Sequence, residues 1–356
     1  MRQKVNKDTL LKMAMAFQVS KALFVASEFD VFTLLSKKPL SAEDLAKRLK
    51  LHPRPISRLL NAMVAFGLLK KRRGKYSNTE IANTSLVKGK PEYFGDYLSI
   101  VNDVYNAWAH YEKVIKENHS LPLFQKESLK GSDTARVLDG SSAHLVSRVM
   151  RAQEAFSYRQ AVRLPKVYNF SKHNLLLDIG GGTGIFSIMA VRAHPHLKSI
   201  VFDVPEVCTI ARERIKYYKL VKKIKVVEGN FLSDDLPKGA DVVLISTVLD
   251  GYDEPECREL LKKVFTTLES QGVVIVNETM LNEERTGPLF PAIFSLELMV
   301  ERNTGDSRTV GEIRRWMKDA GFVTIKSMAL KERGETYLNC RIVTGKRPRK
   351  GTRSQN

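Results

Sequence analysis

The run from Leu175 to Gly184 constrains this chain most, because an apolar strand there ends in a glycine-rich turn that leads into a helix. Glycine lacks a Cβ, so its backbone can approach a ligand closely, and the helix that follows presents free N–H groups. The spacing differs from the G-x-G-x-x-G fingerprint of dinucleotide sites, which would put a third glycine at Ile185 if Gly180 and Gly182 were the first two. The turn therefore predicts a site for a single nucleoside with a charged tail.

A carboxylate follows at the end of the next predicted strand, residues 199–203. Asp203 stands 19 residues beyond Gly184, and an acid at this place in a nucleotide-binding sheet typically holds ribose hydroxyls. The glycine turn and the spaced acid together favour a nucleoside site over a turn that serves packing alone.

With these motifs the chain resembles the S-adenosylmethionine (SAM) dependent methyltransferases, specifically the small-molecule O-methyltransferases with an N-terminal winged-helix dimerisation domain. The resemblance spans roughly residues 10–345, and its motifs are Asp178–Gly184, Phe202–Pro205 and Gly229–Leu232. It implies SAM as cofactor, S-adenosylhomocysteine as product, a small-molecule methyl acceptor and a homodimer. The cofactor-binding residues that it implies are Asp178, Gly180, Gly182, Asp203, Val204, Asn230, Phe231 and Ser246.

Two of these positions depart from the family pattern. Asn230 stands where the family usually has an aspartate that bonds the adenine amino group, and Ser246 stands where relatives often carry a basic residue. An asparagine can still donate and accept hydrogen bonds, so the first change is mild.

Strands and helices alternate in the second half of the chain, as in a doubly wound parallel sheet. Strands are predicted at about 174–179, 199–203, 224–228, 241–245, 272–276, 323–330 and 337–344. The fold class is therefore α/β, a seven-stranded Rossmann-like methyltransferase domain preceded by an α-helical winged-helix dimerisation domain. The predicted divisions are 1–95 for dimerisation, 96–165 for linker and substrate-pocket helices, 166–345 for SAM binding, and 346–356 for a basic disordered tail.

The N-terminal region has the pattern of a winged helix. Apolar residues recur at helical spacing over 10–35 and need a partner surface. A capped helix is predicted to begin after Ser41, a second helix to span 53–66, and a hairpin to follow. Single helices are predicted over 93–118 and 142–162.

The net charge of +19 is unevenly placed along the 356 residues. Residues 1–170 carry 29 basic against 15 acidic residues, residues 345–356 carry five basic and no acidic residues, and the segment between is balanced. No stretch approaches the roughly 20 apolar residues of a membrane span, and the three cysteines lack disulfide or zinc spacing. A cytoplasmic protein without a metal site and without membrane contact is expected.

The methyl-acceptor side departs most from the family pattern. In the resembling enzymes a His-Asp-Trp type motif ends the fourth strand, and its histidine takes a proton from the substrate hydroxyl; here the segment Val248–Tyr252 has Asp250 instead. Glu278 matches one of two flanking glutamates, whereas the second position is Ser307. Asp250 and Glu278 are the candidate catalytic residues.

The role of Asp250 stays open between three alternatives. It is a base if burial beside Glu278 raises its pKa, an orienting group if proximity supplies most of the rate, or a structural carboxylate. An acceptor that is already ionised, or one that is methylated on nitrogen or carbon, needs little base.

Acceptor contacts are expected on two helices that the resemblance places around the pocket. The candidates are Met150, Gln153, Phe156, Phe294, Leu298 and Arg302. Ordinary core packing is the alternative for each of them, because apolar helical stripes usually pack. Arg302 favours an acidic substrate if it lies in the pocket, and is otherwise a solvated helix-end residue.

Two other functions remain possible from the sequence. One is a SAM-binding relative with altered or lost methyl transfer, because the usual base is replaced. The other is a winged-helix DNA-binding regulator, because the predicted wing carries a basic run over 70–75. The cofactor motifs disfavour a regulator, so nucleic acid is not expected as a partner.

Overall fold

The structure is a computed structural model, and it describes residues 5–121, 143–330 and 338–349. The chain divides into two compact units, Met1–Tyr105 and Asn106–Asn356, and the division falls within one helix.

The first unit is helical and carries one β-hairpin. Its elements are α1 (Lys7–Glu28), α2 (Val31–Leu35), α3 (Ala42–Leu49), α4 (Pro53–Ala65), β1 (Leu69–Arg72), β2 (Lys75–Asn78), α5 (Glu80–Ser85) and most of α6 (Gly95–Trp108). The predicted capped start of α3 is present, since Ser41 and Asp44 exchange side-chain to backbone hydrogen bonds. Leu45, Leu60 and Met63 are fully buried in the core of this unit. The order of helices and hairpin matches the predicted winged-helix pattern.

Helix α1 leaves most of its apolar side chains exposed within its own unit. Leu11, Met13 and Phe17 are 59%, 61% and 54% exposed. Among the described residues α1 is also the one helix long and apolar enough to cross a membrane by length and composition. The expectation that no segment approaches a membrane span was therefore too strict, because this 22-residue helix carries few charges.

The second unit is built on a seven-stranded sheet, as predicted. Its strands are β3 (Leu175–Ile179), β4 (Lys198–Asp203), β5 (Ile224–Glu228), β6 (Val242–Ser246), β7 (Val273–Thr279), β8 (Val323–Ala329) and β9 (Cys340–Lys346). The spatial order is β5-β4-β3-β6-β7-β9-β8, with β9 antiparallel to both of its neighbours and the other pairs parallel.

Helices cover both faces of this sheet. The helices of the unit are the end of α6, α7 (Tyr111–Glu117), α8 (Ala143–Val167), α9 (Ile185–Ala193), α10 (Pro205–Tyr217), α11 (Glu254–Thr267), α12 (Leu289–Glu301) and α13 (Val310–Asp319). The end of α6, α7 and α12 form a separate small cluster through Ala107, Val114 and Val300. One buried cluster contains Leu261 and Trp316 from α11 and α13. The other contains Leu164, Ile188 and Ala211 from α8, α9 and α10. Short 3₁₀ turns lie at Phe170–Lys172 and Leu249–Gly251.

Two predictions need correction. The single helix over 93–118 is wrong, because the chain turns at Ala109 and His110 between α6 and α7, where no glycine or proline marks the break. The tail was predicted to begin too early. Lys346 ends β9, and Arg347 donates its N–H to the Gly272 carbonyl at 2.8 Å. Residues 350–356 of the predicted tail lie outside the described residues.

Candidate functional site

The candidate site lies where two neighbouring strands, β3 and β6, end side by side. From β3 the chain proceeds to β4 and β5 on one side, and from β6 it proceeds to β7 on the other. Ligands of open α/β sheets bind in the crevice that such a reversal of strand order creates. The two strand ends also approach closely, since a Cβ on Gly180 would lie 2.7 Å from Val248 Cγ2.

The glycine turn after β3 requires glycine for its backbone. Gly180, Gly182 and Gly184 have φ of +62°, +57° and +78°, in the left-handed region that other residues rarely adopt. Of the described atoms, only Met150 Sδ comes within 4.0 Å of a Cβ built on Gly182. Gly184 is the N-cap of α9, and no described side chain caps that helix. The N–H groups of Gly180, Gly182 and Gly184 all donate within the protein. The turn therefore offers a ligand close approach to its backbone rather than these donors.

Asp203 at the end of β4 is joined to this turn. One of its carboxylate oxygens accepts the Gly182 N–H and the other accepts the Val204 N–H, both at 2.8 Å. Burial raises the pKa of Asp203 to about 6, although the two N–H donors oppose the shift. Each oxygen keeps a second lone pair for a hydroxyl donor. The glycine turn and this carboxylate fit a nucleoside with a ribose diol.

Asp178, also predicted to bind the cofactor, lies beneath the turn. Its side chain is 1% exposed and accepts a hydrogen bond of 2.7 Å from the Ser187 hydroxyl of α9. Burial raises the pKa of Asp178 to about 7. The carboxyl group therefore ties the end of β3 to the helix that follows it.

Asn230 and Phe231 follow β5, at the same edge of the sheet. The Asn230 Oδ1 accepts the Leu232 N–H at 2.9 Å, which holds the loop in a tight turn. The ring of Phe231 lies edge-on to Tyr252 with centroids 5.1 Å apart, and its Cε1 would lie 3.9 Å from a Cβ on Gly180. Phe231 thus lines the crevice beside the glycine turn.

Ser246 belongs to a buried amide network at the end of β6. Asn277 donates to the Ser246 hydroxyl at 2.9 Å and to Gln160 Oε1 of α8 at 3.2 Å. The network joins β6, β7 and α8, and among the described atoms Gln160 Nε2 has no hydrogen-bond partner. Gln160 and Asn277 were missed from the sequence.

Asp250 lies on the 3₁₀ turn after β6 and is 6% exposed. Glu278, 1% exposed on β7, accepts the N–H groups of Val248 and Leu249 at 2.9 Å each through one oxygen. Glu278 therefore holds the turn that carries Asp250. Burial raises the pKa of both carboxyls, and the charge of Asp250 raises that of Glu278 further.

Arg308 fixes the same turn from the other side. Its guanidinium donates to the carbonyls of Leu249, at 3.3 Å, and Tyr252, and it stacks on Trp316 at 5.3 Å. The backbone N–H of Asp306 donates to the Asp250 carbonyl at 2.9 Å. The segment 305–308 is thus hydrogen-bonded to the turn that carries Asp250, and the Arg308 cation opposes the raised pKa of Asp250.

The predicted acceptor residues fall into different surroundings. Phe156 on α8 and Phe294 on α12 each stack on Phe290, with centroids 5.6 Å and 5.7 Å apart. Leu298 is 1% exposed and Gln153 is exposed. Met150 is buried against Val207 on the cofactor side. The structure therefore brings the three phenylalanines together, whereas Met150 packs against Val207 and Gln153 is exposed.

Helix α12 ends in a group of charged residues. Glu297 and Glu301 are one turn apart, and Arg302 follows them with a side chain 16% exposed. Burial raises the pKa of Glu297 to about 8 and also raises that of Glu301. The charge of Asp250 also raises the pKa of Glu301, so the carboxyl group on the turn and the one at the helix end interact electrostatically.

Sequence reasoning missed Phe290, Glu297, Glu301 and Arg308. A signal existed for the two glutamates, because an i,i+4 acidic pair on an otherwise apolar helix is unusual. Phe290 shares the i,i+4 stripe of Phe294. No local signal marks Arg308, whose partners lie 56 and 59 residues earlier in the chain.

Comparison with known proteins agrees with this geometry. Residues 108–323 match an O-methyltransferase domain, and residues 11–88 match an O-methyltransferase dimerisation domain. The chain is 30% identical over 327 residues to a 3-hydroxy-5-methyl-1-naphthoate 3-O-methyltransferase of Streptomyces sahachiroi, covering 90% of each chain. It is 30% identical over 319 residues to the N,N-dimethyltransferase OxyT of Streptomyces rimosus, covering 88% of this chain and 90% of that one.

A solved structure extends the match to nearly the whole chain. Human N-acetylserotonin methyltransferase in complex with SAM matches with a TM-score of 0.84 at 25% identity, covering 98% of this chain and 100% of that one. The chain therefore belongs to the O-methyltransferase family and is a SAM-dependent methyltransferase.

Proposed function

We propose that this enzyme transfers the methyl group of SAM to a small aromatic acceptor seated between the phenylalanine rings of α8 and α12 and the turn that carries Asp250. The stacked rings of Phe156, Phe290 and Phe294 carry the proposal, because aromatic side chains in offset stacks recognise flat rings. The relatives point the same way, since one is named for a hydroxynaphthoate. Another is named for dimethylation on nitrogen, so the acceptor atom stays open.

The cofactor residues of this proposal are those of the glycine turn and its neighbours. Gly180 and Gly182 bring the backbone close, Asp203 accepts hydrogen bonds from ribose hydroxyls, and Phe231 packs the adenine face. Val204, Asn230 and Ser246 lie nearby, and Asp178 supports the turn from below. When bound, SAM supplies an electrophilic methyl group on a sulfonium sulfur.

Asp250 orients the acceptor and receives a hydrogen bond from its nucleophilic group. A buried carboxylate whose pKa is raised can also take the proton of a hydroxyl. Glu278 and Arg308 act through Asp250, because they hold the backbone on both sides of it. We propose that positioning supplies most of the rate, since effective molarities of oriented pairs reach about 10⁵ M and above.

The first experiment identifies the acceptor. The purified enzyme is incubated with isotopically labelled SAM and aromatic phenols, amines and hydroxy acids, and mass spectrometry detects products that carry the labelled methyl group. A labelled product from an aromatic acceptor supports the proposal. Binding of SAM without a product from any acceptor class favours a relative that has lost methyl transfer.

Asp250→Asn then separates orientation from base catalysis. We expect kcat to fall by less than about a hundredfold, the lower end of what a general base contributes. Glu284→Gln, which is exposed, is the matched control. A larger loss in Asp250→Asn with unchanged acceptor affinity assigns the carboxylate as the base.

The dimerisation-domain match and the exposed apolar side of α1 support a homodimer. Light scattering is expected to give twice the chain mass of 40.3 kDa. Phe17→Glu should lower the measured mass, because it places a charge on the apolar side of α1, whereas Val221→Glu on exposed surface of the second unit should not. A monomer mass for the unaltered protein contradicts the proposal.

The DNA-binding alternative rests on the exposed basic hairpin alone, and a basic surface binds any polyanion without specificity. Pairing of subunits accounts for the same domain. A cytoplasmic location remains part of the proposal.

A further inference from the structure

Arg302 lies directly beside the catalytic turn. A Cβ on Gly251, the residue after Asp250, would come within 2.6 Å of Arg302 Nη1. The guanidinium therefore lies in the space that any side chain at position 251 would enter. Its side chain is 16% exposed, so it is not the solvated helix-end arginine that the sequence left possible.

The N–H donors of the Arg302 guanidinium make no hydrogen bond within the described part of the chain. This group has five N–H donors, yet its nearest carboxylate oxygen, on Glu301, is 3.9 Å away, and it makes no hydrogen bond to any described residue. Largely buried guanidinium groups are normally hydrogen-bonded. Arg308, on the opposite side of the turn, satisfies this rule through two carbonyls and Trp316. Arg302 is thus the cation at this turn with capacity for a ligand.

The charge of Arg302 is only partly balanced by its neighbours. The charge of Arg302 lowers the pKa of three carboxyl groups, those of Asp250, Glu297 and Glu301. Burial raises the pKa of all three, and that of Glu297 to about 8, so these groups hold protons more firmly than ordinary carboxyls do. An anion that approaches Arg302 favours their neutral forms further. The site therefore accommodates a negative group despite the surrounding acids.

The position of Arg302 relative to the aromatic rings limits the size of the ligand. Phe294 lies within α12 and Arg302 is its C-cap eight residues later, a rise of roughly 12 Å along the axis. An acceptor that contacts both residues is therefore longer than a single small ring.

We propose that Arg302 binds an anionic oxygen of the methyl acceptor, either a carboxylate or an ionised phenol on an aromatic ring system. The inference rests on the proposed function and narrows its substrate class. Gly251 is the residue that makes this contact possible, because a side chain there would displace the guanidinium.

Three naphthalene-sized probes test the inference by calorimetry with S-adenosylhomocysteine bound. They are 3-hydroxy-2-naphthoate, which carries a carboxylate, 4-nitro-1-naphthol, which is an acidic phenol, and neutral 2-naphthol. We expect at least one anionic probe to bind ten times more tightly than 2-naphthol. If 3-hydroxy-2-naphthoate binds most tightly, the group that Arg302 binds is a carboxylate. If 4-nitro-1-naphthol binds most tightly, and its affinity grows as the phenol ionises, the group is a phenolate.

Variants of the contact complete the test. Arg302→Met is expected to abolish the preference, Arg302→Lys to keep part of it, and Gly251→Ala to weaken it by displacing the guanidinium. Arg315→Met removes an exposed arginine of α13 and should change nothing. Binding of S-adenosylhomocysteine is measured first in each variant, so that loss of the fold or of the cofactor site is recognised separately.

The inference is overturned if S-adenosylhomocysteine binds normally and 2-naphthol binds as well as both anionic probes, or if no probe binds. It is also overturned if Arg302→Met, with its cofactor affinity intact, keeps the preference. Failure of the unaltered protein to bind S-adenosylhomocysteine contradicts the cofactor site instead.

Discussion

The glycine turn after β3 and the 3₁₀ turn after β6 lie at the ends of neighbouring strands, yet they are built differently. The first is made from backbone: its glycines have positive φ angles, and the carboxylate of Asp203 accepts the Gly182 N–H of the turn and the adjacent Val204 N–H. The second is held by long side chains from distant segments, with Glu278 below it and Arg308 across it.

The two regions therefore differ in how much substitution they tolerate. The glycine turn tolerates little, because its positive φ angles require glycine. A turn held by side chains depends on residues from distant segments, and the sequence resemblance puts the replaced family positions, Asp250, Gly251 and Ser307, on or beside this turn. Under the proposed function, the specificity of the enzyme arises on this acceptor side.

The largest expected effect concerns SAM binding at the glycine turn after β3. Asp203→Ala should weaken SAM binding by a hundredfold or more, because two charge-assisted hydrogen bonds to ribose are worth roughly 1.5–3 kcal/mol each. The same change releases the Gly182 N–H. Calorimetry measures the affinity, and Asp235→Ala on exposed surface is the control. An affinity within threefold of the unaltered protein would remove Asp203 from the site.

An intermediate effect tests the side-chain-built turn. Arg308→Met should lower the free energy of unfolding by about 3 kcal/mol, since it leaves two buried carbonyls without their charged donor. SAM affinity should change little, because the glycine turn is untouched. Thermal unfolding and calorimetry give the two quantities, and Arg308→Lys should recover part of the stability. Equal losses of both quantities contradict the separation of the two regions.

The last expected effect is a change of stability with pH, and it concerns the charged end of α12. Burial raises the pKa of Glu297 from 4.5 to about 8, so the folded protein holds a proton that the unfolded chain releases. The unaltered protein therefore loses stability as the pH rises from 4.5 to about 8. Glu297→Gln cannot ionise and escapes that loss.

We expect the melting temperature of Glu297→Gln, relative to the unaltered protein, to rise by several degrees across that pH range. Glu284→Gln, in an exposed loop, should show a constant difference. A constant difference for Glu297→Gln as well would mean that its carboxyl is ionised at neutral pH.

The backbone-built region could be predicted from sequence because its determinants are local. Three glycines and one spaced acid fix the turn, and the strands that frame it are short apolar runs of the expected period. Asp178 shows the limit of this approach, because the motif identifies it but only the fold reveals that it contacts Ser187 beneath the turn.

The acceptor side resisted prediction because its determinants are distant in sequence. Arg308 reaches carbonyls more than 50 residues away, and Arg302 lies beside Gly251 although the two residues are also far apart in sequence. The interruption of the helix at Ala109 was not predicted for another reason, since no residue there has a strong preference against helix.

The position of strand β9 has a consequence for folding during synthesis of the chain. It is inserted between β7 and β8, and β8 pairs with no other described strand. During synthesis from the N-terminus, β7 and β8 both leave the ribosome before the strand that joins them. Until residues 340–346 arrive, one edge of β7 and both edges of β8 lack partners, and unpaired edges are sites of aggregation. Completion of the sheet therefore waits for residues 340–346, which pair with both strands.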